Sequence, residues 1–533
     1  MFRSAALSLL LIAGVAPASL GQLALDADFD HGSLASWSGS RAAISLHGRS
    51  NYYGQNKWRW LYFKATGLLG SRTTFTIQQD FAGDSTPGLH ELEEHEMVYS
   101  YDNENWHFFD NNELLATNTD HFVFSNDAPF AQNEVYIAYA IPYPYAKSVA
   151  HTQSVLSSPW AMPSASADVN GVIGQSAPGI DDLGRSIPAL DLYGYRITNP
   201  ATDSPTVPKR KVGIASGLHS GEPLGTHTFE GMVDWLISDD PRAARLRDVV
   251  EFFAYPVLNP TGRYAGMNRT TVGNPNRDPN GLWDPSRWSN NSSVGCLGTA
   301  ACQDIGVSGE AMMEDAFSTP GGGLDAFIDF HSTVPDYANP TGLPHDFGFV
   351  DSDDSNADWW LELQRLAAPN VLEYTTGGSG SFTTTGFARR LLDAEVEITF
   401  ETQFTWERNV DYYHNLGKLF GIAFYNAWVP QVAGDYTGDG SVDAADYALW
   451  RKSLGQSGVG LAADGNGNNE IDAGDYDVWR ANYGRTASSA ATAGLSGRAD
   501  AGAANLTIPE PSSLVLQWAA LAVSALRRRT ARR

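Results

Sequence analysis

Lys211-Val212-Gly213-Ile214-Ala215, followed after a few small residues by His219-Ser220-Gly221-Glu222-Pro223 and a helical run to Leu236, decides how this chain is read. The first five residues read as a strand, the small residues as a turn, and the rest as a helix. A histidine and a carboxylate three residues apart point the same way and can grip one ion. Zinc suits mixed imidazole and carboxylate ligands, and its catalytic sites use three protein ligands plus water. Phe327-Ile328-Asp329-Phe330-His331-Ser332 supplies the third ligand, a histidine at the end of a buried strand, where α/β sites lie. From about 147 to 430, short β-branched runs alternate with helical stretches, the α/β signature.

Taken alone, His-x-x-Glu is a weak pattern, and the chain holds another at His227 and Glu230. That pair falls inside the helix with no strand and loop to present it, so it reads as structural. His90-Glu91-Leu92-Glu93-Glu94-His95 spaces its histidines five apart instead of the four of a zinc-protease helix, and reads as a solvated acidic loop. No Gly-x-Ser-x-Gly elbow occurs, which disfavours a serine hydrolase.

Upstream, residues 22–146 are rich in Trp, Tyr, Phe and Thr with frequent turn residues. Trp58-Arg59-Trp60-Leu61-Tyr62-Phe63 and Val135-Tyr136-Ile137-Ala138-Tyr139 alternate as strands, and the region is expected to be a β-sandwich. Residues 1–21 read as a secretory leader: Arg3, an apolar stretch Ala5–Ala16, then small residues to Gly21. In an exported chain, the two cysteines, Cys296 and Cys302, can close a small disulfide loop. At 533 residues the chain suggests several domains, and a net charge of -26 argues against nucleic acid, which needs clustered Lys and Arg.

Strand, His-x-x-Glu, then Pro256-Val257-Leu258-Asn259-Pro260-Thr261-Gly262, Asn276-Arg277, Asp329-Phe330-His331-Ser332 and Thr399-Phe400-Glu401 together resemble the zinc metallocarboxypeptidase family in order and spacing. The preceding aromatic region is similar to the domain before the catalytic one in the cytosolic carboxypeptidase branch. The resemblance implies a mixed sheet flanked by helices over 147–430. It implies one zinc held by His219, Glu222 and His331, with Glu401 as general base. It also implies that Arg269 polarises the scissile carbonyl and that Asn276 and Arg277 grip the substrate's terminal carboxylate. The chemistry agrees: zinc lowers the pKa of bound water to about 7, and a carboxylate takes the proton. An Arg fork matches a free carboxylate at two points.

Two positions depart from the family. Asn274 stands where an acid usually orients a zinc histidine, and no Tyr occurs between Thr375 and Glu401. Arg389 and Arg390 fall where a specificity pocket could form, or are exposed loop charges.

Residues 434–486 form an acidic repeat. Asp435, Thr437, Asp439, Ser441, Asp443 and Asp446 occupy positions 1, 3, 5, 7, 9 and 12 of a calcium loop. Asp464, Asn466, Asn468, Glu470, Asp472 and Asp475 repeat it, with Asn469 in place of the turn glycine Gly440. Each copy ends in Asp-Tyr-x-x-Trp-Arg, and the pair resembles a type I dockerin. That implies a small α-helical module, two structural calcium ions and a cohesin-type partner. A linker spans 487–506. The tail 507–533, with Pro509-Glu510-Pro511, a short apolar run and arginines, resembles a PEP-CTERM sorting signal that touches the membrane transiently.

The expectation is therefore an exported zinc carboxypeptidase at the surface or outer envelope of a Gram-negative-type bacterium, acting on a peptide or protein substrate. The rival chemistry is an aspartoacylase-type amidohydrolase, and the rival class is a catalytically silent scaffold.

Overall fold

The computed structural model describes residues 22–50, 57–81, 95–116, 120–272, 278–288, 303–333, 345–376, 382–405, 408–458 and 460–487. The leader, nearly all of the linker, the sorting tail, Asn274, Asn276, Arg277 and both cysteines lie outside the described residues.

The N-terminal region is built of two five-stranded sheets. Tyr62–Thr66 and Glu134–Ala138 run antiparallel in one, Thr74–Ile77 and Asp120–Ser125 in the other. Both sheets contribute to one aromatic core: Phe63 meets Phe75 across it at 6.4 Å, and Phe75 stacks on Phe124 at 5.0 Å. Val135 and Ile137 are buried while Tyr136 is half-buried, the alternation expected of a strand with one wet face.

Trp58–Phe63 departs from its expected alternation: it is not one strand. Only Tyr62–Thr66 pairs with the main sheet, and Trp58, Trp60, Leu61, Tyr62 and Phe63 are all buried. A second body covers the face that alternation would leave in water, since Trp60 packs on the backbone at Gly221. His95 departs too. It is buried and stacks on Tyr139 at 4.2 Å, so this end of the acidic segment is core, not solvated loop.

The central domain is an eight-stranded mixed sheet. Its strands in chain order are β1 (Ala161–Pro163), β2 (Tyr195–Ile197), β3 (Arg210–Ser216), β4 (Val250–Tyr255), β5 (Ala326–Thr333), β6 (Asp346–Asp351), β7 (Val371–Thr376) and β8 (Val396–Gln403). The spatial order is β1-β2-β4-β3-β5-β8-β6-β7. The central run β4, β3, β5 and β8 is parallel, while β1, β2 and β6 bring antiparallel pairings. Such a core, covered on both faces, needs apolar strands, and β4 is buried throughout.

Among the described residues, seven longer helices flank it: α1 (Tyr145–Leu156), α2 (Pro223–Ile237), α3 (Pro241–Val249), α4 (Gln303–Ser318), α5 (Asp358–Leu366), α6 (Thr384–Leu391) and α7 (Val410–Trp428). Helices α1, α2, α3, α5 and α7 share one apolar core with the sheet, and α4 and α6 share the other. Helix α2 is buried nearly all round, pinned between the sheet and α7. Gly417 makes that possible, because a Cβ there would fall on the α2 backbone at Thr228.

The C-terminal module is two loop-helix units, with helices α8 (Ala444–Ser453) and α9 (Ala473–Asn482). The carboxylates of Asp443 and Asp472 cap them in matching boxes with Asp446 and Asp475. The units lock reciprocally: Trp450 Nε1 donates to the Asp472 carbonyl and Trp479 Nε1 to that of Asp443, each at 2.8 Å. Asn469 adopts φ 63°, as expected of the residue that replaces a turn glycine. The first loop rests on the central domain, where Arg245 of α3 reaches Asp435 Oδ2 at 3.3 Å and the Pro430 carbonyl at 2.6 Å.

Candidate active site

The loop after β3 and the C-terminal ends of β5 and β8 converge, as the topology of a parallel run requires. His331 on β5 lies beside Glu401 on β8 in register. His219 and Glu222 precede α2, whose first turn seats against β5. Gly225 is required there, because a Cβ would sit 2.7 Å from the His331 carbonyl.

The side chains of His219, Glu222 and His331 are buried, with one ligand atom from each within 4.8 Å of the others. Glu222 Oε1 lies 3.0 Å from His219 Nδ1, Glu222 Oε2 lies 2.9 Å from His331 Nδ1, and the two Nδ1 atoms are 3.1 Å apart. On the far side of each ring stands another carboxylate: Asp329 Oδ2 at 3.0 Å from His331 Nε2 and Asp278 Oδ1 at 3.3 Å from His219 Nε2. Asp329 accepts from His331 Nε2, which leaves His331 Nδ1 as a lone pair toward Glu222, and Asp278 stands beside His219 Nε2 in the place that would favour the same tautomer. Such a meeting of acceptors calls for a cation, and the donor set fits zinc.

Asp329 is itself held by the Thr384 hydroxyl at 2.5 Å, and Arg269 Nε donates to Asp278 Oδ2 at 2.6 Å. Arg269 Nη1 is also 3.5 Å from Glu222 Oε1, which puts a guanidinium at the edge of the cluster. Burial works to raise the Asp278 carboxyl, but His219 and Arg269 outweigh it and hold it far below the usual range. Asp278 is a site residue that the sequence reading missed. It follows Arg277 directly, and it stands beside His219 Nε2, where an acid at position 274 was expected to stand.

Glu401 is half-buried, with Oε2 enclosed and lacking a hydrogen-bond partner. Burial first, then the Glu222 carboxylate, push its pKa up to about 7 against the pull of His331, His219 and Arg269. A cation at the cluster would draw it back down. A narrow cleft beside Glu222 and Ser332 is lined by Arg59, Tyr139 and Phe404, so the β domain forms part of the wall.

Arg389 lies away from this cluster. It pairs with Asp354 and with Glu397 near the start of β8, and Arg390 pairs with Asp284.

Residues 177–380 match the zinc carboxypeptidase family model, a span that covers His219, Glu222 and His331. The chain carries a zinc carboxypeptidase domain. Residues 25–140 match the cytosolic carboxypeptidase N-terminal domain, and residues 433–479 the dockerin type I domain. Human cytosolic carboxypeptidase 2 is 26% identical over 237 residues, 42% of this chain and 25% of that protein. Mouse cytosolic carboxypeptidase 6 is 28% identical over 153 residues, 28% of this chain and 26% of that one. The chain thus spans about a quarter of these relatives' length.

Two solved structures share the fold. A metallo-carboxypeptidase from Burkholderia cenocepacia superposes with a TM-score of 0.55 at 20% identity, covering 76% of this chain and 99% of that one. One from Pseudomonas aeruginosa gives 0.54 at 19%, covering 76% and 98%.

Proposed function

We propose that this zinc carboxypeptidase domain removes C-terminal residues from an extracellular peptide or protein. His219, Glu222 and His331 would hold the zinc and Glu401 would serve as general base. The observation that carries the reading is the meeting of two Nδ1 atoms and one carboxylate at a single point, with Glu401 beside it in the sheet. When bound, zinc supplies a water acidified to near neutrality and a Lewis-acidic contact for a carbonyl oxygen. Glu401 accepts the proton at its free Oε2 and returns it to the leaving amine. Asp278 and Asp329 fix the imidazole tautomers. Arg269, anchored by Asp278, would turn its guanidinium toward the developing oxyanion, and Asn276 with Arg277 would take the terminal carboxylate. The leader, the two calcium loops, a cohesin-type partner and the sorting tail belong to the same proposal, resting on the sequence patterns and, for the dockerin, on the family match.

The test compares wild type with Glu401→Gln for zinc content and for turnover of a blocked peptide panel and of acyl amino acids. One equivalent of zinc in both proteins, with release of C-terminal residues lost by about a thousandfold or more in the variant, supports the reading. Stoichiometric zinc with no turnover on either substrate class would make the domain a silent scaffold. Turnover of acyl amino acids alone would make it a deacylase.

A further inference from the structure

Helix α2 carries the second His-x-x-Glu, His227 and Glu230, well inside the helix, whereas the first pair precedes it. It is not the satisfied pair that its place inside a helix suggests. His227 Nε2 lies 3.3 Å from the Pro142 carbonyl. A carbonyl can only accept, so Nε2 carries the proton and Nδ1 is a bare lone pair. That Nδ1 is buried, finds no hydrogen-bond donor, and faces Glu230 Oε2 at 3.9 Å. His414 of α7 brings Nε2 to 3.5 Å from the same oxygen, and this nitrogen too is buried without a hydrogen bond. One ligand atom from each of His227, Glu230 and His414 lies within 4.8 Å of the others. His227 is 1% and Glu230 7% exposed, so water does not satisfy them.

An ion pair is the ordinary explanation for Glu230, and Lys147 Nζ of α1 does reach Oε2 at 3.2 Å. It accounts for the carboxylate's charge but leaves the His227 Nδ1 lone pair facing an acceptor. Lys147 is also removable, with a side chain 40% exposed and its ammonium 4.6 Å from the Tyr143 ring. Burial, and next Lys147, hold His227 well below its usual pKa, so the ring stays neutral and cannot donate from Nδ1. A neutral imidazole with its outer N–H on a carbonyl and its inner lone pair beside a carboxylate and a second imidazole has the donor set of a transition-metal ligand.

We propose that His227, Glu230 and His414 bind a second divalent ion of the zinc type, structural in role, which ties α2 to α7 and displaces the Lys147 ammonium. His414 also lines a surface groove with Asp234 and Lys418, which gives an ion a route from solvent. His151, 2.9 Å from Asp234, stands on the same side and contributes to a second ligand group centred on Glu230.

The experiment uses the full chain with calcium in excess and both catalytic histidines removed, His219→Ala/His331→Ala, so that only zinc held elsewhere is counted. Elemental analysis after dialysis should find one equivalent of zinc, and Co2+ in its place should give visible d–d bands from nitrogen ligation. Adding His414→Ala, whose ring is partly exposed, should abolish the equivalent, the bands and the zinc-dependent rise in Tm while leaving the circular dichroism unchanged. Lys147→Met in the double variant should tighten zinc binding, because the competing ammonium is gone. Equal zinc in the double and triple variants would overturn the proposal. So would a Lys147→Met protein that loses stability without gaining zinc affinity. Neither result bears on the catalytic site.

Discussion

Replacing Asp278 with alanine tests whether this carboxylate is the outer support of the metal site. It lies 3.3 Å from His219 Nε2 and holds Arg269 Nε at 2.6 Å. Its side chain is only 11% exposed, so water screens these contacts little. Loss of the outer partner of a metal-bound histidine costs about 10- to 100-fold in metal affinity, or roughly 1.4–2.7 kcal/mol. Arg269 loses its anchor in the same variant. Removal of an oxyanion donor costs about 100- to 1000-fold in kcat, an upper bound here because the guanidinium stays present but is no longer aimed. Zinc competition against a chromophoric chelator reads the first effect, and kcat/KM on a blocked dipeptide at saturating zinc reads the second. Asn274→Ala is the control, since position 274 is where the family pattern puts this support. Asp278→Ala with zinc affinity and kcat/KM both within about twofold of wild type would refute the assignment. So would Asn274→Ala if it produced the loss instead.

Other perturbations have defined outcomes. Gly225→Ala drives a methyl group to 2.7 Å from the His331 carbonyl, so the first turn of α2 must shift; a cost of about 1–3 kcal/mol in chemical denaturation and weaker zinc binding are expected. Asp304, fully buried, has its pKa pushed up to about 7 by burial, with the Thr261 hydroxyl opposing. Its folded pKa is above the unfolded one, so it favours folding at low pH and that contribution drains away as pH rises toward 7. Asp304→Asn should therefore raise Tm near pH 8 and change it little near pH 4. Calcium titration should resolve two unequal sites, the weaker one containing Asp435, because Arg245 lies 3.3 Å from that carboxylate. Arg245→Ala should narrow the gap, and an unchanged pair of affinities would dismiss the competition.

The parts of the site that were legible in the sequence are those whose positions follow from local rules. A ligand pair beside a helix start, a histidine at the end of a buried strand and a glutamate at the end of another are fixed by elements a dozen residues long. Parallel pairing of β5 with β8 then places His331 beside Glu401. Asp278 was not legible, because nothing local says that a carboxylate after Arg277 turns back toward His219. The same limit applies to His414, which meets His227 only because α2 and α7 pack closely enough at Gly417. Trp58–Phe63 failed for a different reason. Alternation assumes that one face of a strand meets water, and this stretch is covered on both.

That covering bears on the metal site. Ser220 lies between His219 and Glu222, and its carbonyl accepts from His31 Nε2 of the β domain at 3.0 Å. Trp60 supports His31 by stacking on it at 4.3 Å and donating from Nε1 to its carbonyl at 3.0 Å. Gly221 has no side chain, and the Trp60 Cβ would stand 3.2 Å from one. A four-residue loop whose two ends are proposed to ligate one ion has little freedom to spare, because a shift of its middle would displace both His219 and Glu222. The β domain fixes that middle from outside, through a buried hydrogen bond and an aromatic stack. Holding ligands in place before the ion arrives is what lets binding energy appear as affinity instead of being consumed in ordering the loop. The aromatic region upstream would thus be a working part of the proposed metal centre, because the contacts that bury it against the central domain are the same ones that brace the His219–Glu222 loop.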